Sequence, residues 1–104
     1  VTLQVYAITR EWPKEELYGL TSQARRAAVS VEANLAEGKS RTGRTEFGHF
    51  VSMAAGSAAE LDCELQIARD IGYIDEDRHA AVSSRLKEVR RMLSALRSSL
   101  TPIA

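Results

Sequence analysis

Apolar positions along the chain recur every three to four residues, and no window shows the two-residue alternation of a strand, so the sequence predicts helices alone. Residues 44–71 carry Phe47, Val51, Ala54, Ala58, Leu61, Leu65 and Ala68 at alternating steps of four and three. Residues 75–100 answer with Val82, Leu86, Val89, Leu93, Leu96 and Leu100 in the same rhythm. Folding one stripe back on the other through a short turn at Gly72 pairs residues whose numbers sum to 147, from Leu65 with Val82 to Phe47 with Leu100. That is an antiparallel seam packing knobs into holes. A helix over about 14–37 set against the third by a sum near 82 brings Ala24 to Ala58 and Val31 to Val51. The residues in the middle of this second pair are small, which predicts a close approach of the two backbones.

Punctuation places the ends. A short first helix over about 1–9 stops before Trp12 and Pro13, because proline disfavours a helical residue before it. Glu15 and Glu16 suit the start of the second helix, and Gly38 reads as its left-handed stop. Gly38 to Gly43 form the next turn, Gly72 the last, and Pro102 follows the fourth helix. The expectation is an all-α, antiparallel up-and-down four-helix bundle, one domain over residues 1–104, with helices at about 1–9, 14–37, 44–71 and 75–100. The first helix reads as short or truncated, like the last turns of a longer one, and a missing partner there would leave apolar surface uncovered.

Composition narrows the functions. The chain has 104 residues, 44% of them apolar and only 6% aromatic, so aliphatic side chains must build the core. No apolar stretch approaches the roughly 18 residues of a membrane span, and the expected location is cytoplasmic. Fourteen bases balance fourteen acids, which removes any bulk electrostatic pull towards nucleic acid or an anionic membrane. The balance is not local, however: residues 46–77 hold eight acids against one base, and residues 78–104 six bases against one acid. The antiparallel pairing sets Asp62 by Arg85, Glu60 near Lys87 and Asp70 near Arg78, so the sequence favours complementarity within the bundle over a basic binding helix. Lys39, Arg41, Arg44 and Arg97 are left as a small basic cap at one pole, the candidate contact for RNA or DNA phosphates.

Catalytic constellations are not visible. Glu46–His49 and Glu76–His79 both match the Glu-x-x-His spacing of carboxylate di-iron bundles, but each opens its helix, and antiparallel helices put the two at opposite poles. No metal site and no cofactor are expected. Cys63 is alone, with acids on both sides, and reads as a buried structural thiol. No enzyme activity is expected.

One set of polar residues lies where polarity is costly. Gln23, Arg26, Ser30, Asn34 and Glu37 step along one side of the second helix beside its alanine face. Ser57 and Glu60 on the third helix lie opposite Arg26 and Gln23, so the expectation is a buried polar network that fixes register or an interface.

The string from Glu16 to Gly38, ELYGLTSQARRAAVSVEANLAEG, with Arg41, Glu46-Phe47, the Ala54-Ala-Gly-Ser57 step, Glu60-Leu61 and the Gly72-Tyr73 turn, resembles the bacterial four-helix bundle family that includes proteins encoded within intervening sequences of 23S ribosomal RNA genes. More distantly it is similar to the accessory variability proteins of diversity-generating retroelements. The resemblance runs from about Leu3 to Leu100. It implies a four-helix bundle assembling into a ring, typically a pentamer, without known catalysis, and the retroelement relatives bind nucleic acid and a reverse transcriptase through a basic surface. The leading expectation is therefore a non-catalytic, ring-forming scaffold or adaptor with RNA or DNA at the basic pole. The alternative is a purely structural protein–protein interaction module with no nucleic acid partner.

Overall fold

The computed structural model describes residues 1–100. Four helices make up the fold: α1 (Thr2–Thr9), α2 (Leu20–Lys39), α3 (Arg44–Asp70) and α4 (Glu76–Leu100), with one 3-10 turn at Lys14–Glu16. No strand occurs among the described residues. The helices pack side by side into a rod of 47 × 23 × 19 Å, with α2 on α3 the most extensive contact and α3 on α4 the next. The core is aliphatic, as composition requires: Leu61, Leu65, Leu86, Val5, Val51 and Val82 are fully buried, and alanines fill the space between α2 and α3.

The second helix begins at Leu20, six residues later than the punctuation at Pro13 and Lys14 suggests. The cause is Glu16. Its Oε1 accepts the backbone N–H of Leu20 at 3.2 Å, while its Oε2 accepts the Tyr73 hydroxyl at 2.8 Å, so one carboxylate caps α2 and ties it to the turn between α3 and α4. A Cβ on Gly19 would come within 2.8 Å of that same Oε1, so glycine gives the carboxylate room to fold back. Trp12 is buried and lies against Tyr73, ring centroids 6.0 Å apart.

Gly38 does not stop α2. The helix continues through it to Lys39, and Ser40 caps the end in an ordinary right-handed conformation. Gly38 is buried instead, and a Cβ there would sit 2.9 Å from Phe47 Cδ1 and 2.9 Å from Phe50 Cβ. This sets the register of α2 on α3. With Phe47 and Phe50 seated on bare backbone at Gly38, Ser30 meets Ser57 at 2.8 Å, an offset of more than one helical turn from the pairing expected from a symmetric turn. Gly72, with φ of +88°, is the one left-handed residue described, and it closes α3 where the sequence places the turn. The α3–α4 seam is close to the expected one: a Cβ on Gly48 would be 3.8 Å from Leu100 Cβ, and Leu61, Leu65, Val82 and Leu86 form its buried centre.

Helix α1 runs back along α2. Thr2 Oγ1 donates to the Ala28 carbonyl at 3.4 Å and to Glu32, and Arg25 donates to Thr9 Oγ1 at 2.8 Å with its guanidinium over the Tyr6 ring. Its eight residues cover only part of α2, which has twenty. Beside Val1 and Thr2 an apolar groove of about 460 Å³ runs between α2 and α4, with Leu35, Val89, Met92 and Leu96 in its walls.

Burial also isolates one acid. Glu64 is 6% exposed in the C-terminal third of α3, and its Oε1 has no hydrogen-bond partner. Burial, with the nearby Glu60 charge adding to it, pushes its pKa up to about 7.

Two measurements follow from this packing. Gly38→Ala should destabilise the fold by about 1–3 kcal/mol in urea unfolding, the usual cost of forcing a methyl into a filled site, whereas Gly56→Ala, with nothing within 4 Å of the new Cβ, should be neutral or stabilising. Glu64 binds its proton more tightly folded than unfolded, so between about pH 4.5 and pH 7 the native state holds more protons and stability falls as pH rises. Urea midpoints across that range should show this decline in the wild type, and Glu64→Gln should remove it.

Candidate functional site

The basic pole is built by three elements. Lys39 ends α2, Arg41 lies in the turn, Arg44 opens α3, and Arg97 sits in the last turn of α4 because α4 runs back to the same end. Arg44 and Arg97 are brought together: both line a hollow of about 290 Å³ floored by Gly48 and Ser52. Arg44 is partly spent on structure, since its guanidinium donates to the Ser99 carbonyl at 2.5 Å and so satisfies an end group of α4. Arg41 is held from below, paired with Glu37 at 2.5 Å and lying 5.3 Å over the Phe50 ring. His49 stands beside it, edge-on to Phe50. Lys39 is exposed.

The polar stripe of α2 divides. Ser30, Asn34 and Ser57 do form a network between α2 and α3, with Asn34 Nδ2 donating to the Ser30 carbonyl at 2.8 Å and to Ser30 Oγ at 3.0 Å. Gln23, Arg26, Glu37 and Glu60 do not belong to it, because all four are exposed. Arg26 bonds Ser22 on its own helix, and Glu37 bonds Arg41. The shift in register is the reason: it moves Ser57 from Arg26 to Ser30 and leaves the outer residues of the stripe facing solvent.

Ion pairing across the bundle is also thinner than the charge pattern predicts. Asp62 pairs with Arg90 at 2.9 Å and not with Arg85; Arg78 pairs with Glu11 and Asp75; Asp70 pairs with its neighbour Arg69. Glu60 makes no ion pair with Lys87. Lys87 and Arg91 therefore make no ion pair among the described residues. The sequence gives Lys87 an internal partner in Glu60 and offers no signal for Arg91.

The remaining candidates hold no assembled chemistry. The two Glu-x-x-His pairs open α3 and α4 at opposite ends of the rod, and no cluster of three potential metal ligands occurs among the described residues. Cys63 is exposed rather than buried, because it falls on the outer side of α3, two positions from the seam residues Leu61 and Leu65. No described helix is long and apolar enough to cross a membrane.

A comparison with curated proteins gives no match. The sequence model of the 23S rRNA-intervening sequence protein family matches residues 1–95, which takes in the polar stripe, the basic turn and nearly all of the four helices. With that span and this architecture, the chain belongs to the 23S rRNA-intervening sequence protein family.

Proposed function

We propose that the protein is a non-catalytic cytoplasmic scaffold or adaptor that assembles with copies of itself, in a ring such as the pentamer its family resemblance implies, and presents basic surface to RNA or DNA. The observation that carries the assembly is the groove beyond α1. Its walls are mostly apolar, and Met92 at its edge is 68% exposed, so the described residues leave a contiguous apolar surface uncovered. A second copy covering it recovers the free energy of that exposure at about 25 cal/mol per Å². The nucleic-acid part rests on Arg44 and Arg97 converging on one hollow with Lys39 and Arg41 alongside, where repetition around a ring multiplies a small patch of charge. The other reading, a protein–protein interaction module alone, is favoured by the ties that hold Arg41 and Arg44 to Glu37 and Ser99.

Light scattering on the full chain should give a particle of several times 11.5 kDa, and Met92→Glu, at an exposed position, should lower that mass without loss of helicity. A monomer at micromolar concentration would refute the assembly. Fluorescence anisotropy with random-sequence RNA and DNA at two salt concentrations should show binding at low salt that weakens steeply at high salt. Absence of low-salt binding leaves the interaction module as the function.

A further inference from the structure

Four of the six bases of α4 are gathered on one flank. Lys87, Arg90, Arg91 and Arg97 face the cleft beside α3, where with Ser94 they form one wall of a trough of about 630 Å³. The other wall is α3 at its smallest: Ser52, Ala55, Gly56 and Ala59. No acid and no aromatic residue lines it. A Cβ on Gly56 would meet nothing within 4 Å, so this wall is open to close approach by a ligand. Asp62, paired with Arg90, stands at one end. At the other the trough runs into the hollow of Arg44, because Ser52 and Arg97 line both.

Four cations against the single carboxylate of Asp62 at one end make an unbalanced arrangement on a bundle with zero net charge, and a cleft of one sign concentrates the opposite charge. Lys87 and Arg91 are one turn apart, with Cβ atoms about 5–6 Å from each other, so successive bases present cations in a row along α4. The wall of small side chains offers no apolar anchor of the kind that a protein partner would bury. The trough follows the surface groove between two packed helices, whose axes lie about 8–10 Å apart, a track that one phosphate backbone can follow. Without an aromatic platform, bases have nothing to stack on, so contact is to the backbone and independent of sequence.

We propose that the α3–α4 trough binds the phosphate backbone of a single nucleic-acid strand, with Lys87 and Arg91 as its principal phosphate contacts. This rests on the nucleic-acid part of the function above but adds a second, longer site to the pole, one strand passing from Arg44 and Arg97 along α4.

The test is anisotropy of a labelled 20-nucleotide oligothymidylate with the full chain between about 50 and 200 mM salt. Each phosphate contact contributes about 0.7 to the slope of log affinity against log salt. Lys87→Ala with Arg91→Ala should therefore bind more weakly at low salt, and its loss across that salt range should be about sevenfold smaller than the wild type's. Both positions are exposed, so circular dichroism should be unchanged. Gly56→Glu, which sets an acid in open space beside the bases, should also weaken binding. If Lys39→Ala with Arg41→Ala weakens binding and the trough variants do not, the trough is refuted and the pole stands. If the wild type does not bind at low salt, both fall. A duplex bound at least as tightly, or a polyglutamate peptide that competes as well as the oligonucleotide, refutes the single-strand assignment.

Discussion

The close approach of α2 to α3 governs the rest of the structure. It depends on side chains that end at Cβ or before it: Ala24, Ala27 and Ala28 on one helix, Ala54 and Ala58 on the other, all buried. Such an interface gains little from any single residue, and its strength comes from many close contacts at packing density near that of a crystal. It also tolerates no extra volume. Gly38 is the tightest point, with two phenylalanines of α3 within 3 Å of where its Cβ would be, and that fit chooses one register out of several that an alanine face would otherwise allow.

From that register follow the polar details. Ser30, Ser57 and Asn34 satisfy one another in the cleft, which makes slippage costly because each would lose its partner on a half-buried surface. Glu64 is the exception, an acid carried into the packed interior without a bond to Oε1. Its proton is held near neutral pH by that burial, so the charge state of the α2–α3 side of the bundle depends on conditions in a way that Ser30 and Asn34 do not. At the far end Glu16 supplies the opposite solution: a carboxylate whose two oxygens each accept a bond from a different element, fastening α2 to the turn at Tyr73.

Electrostatics divides the surface according to how the helices turn, not according to the totals. Asp62 with Arg90 ties an acid of α3 to a base of α4, and the pairs that the charge pattern predicts for Arg85 and Lys87 do not form. What remains is a basic flank on α4 beside a smooth wall on α3. The candidate site was thus half legible: Arg41 and Arg44 stand out in the sequence as bases in a turn, and Arg97 falls near them once α4 is folded back. Lys87 is hidden in the sequence because the seam pairing sets it beside Glu60, and Arg91 carries no signal there.

Pattern along the chain is enough to give the helical class, the number of helices, the α3–α4 seam and the turn at Gly72, because a 3.6-residue period is a local property that packing preserves, whereas Gly38 shows that a glycine stop is not. Family membership also lies in the sequence, across residues 1–95. Where α2 begins, how it sits on α3 and which charges meet are settled by packing. Each of these turns on contact between residues far apart in the chain: Glu16 with Tyr73, Gly38 with Phe47 and Phe50, Asp62 with Arg90. A small-residue face carries almost no register information until something large is pressed against it, and that is settled by shape in three dimensions.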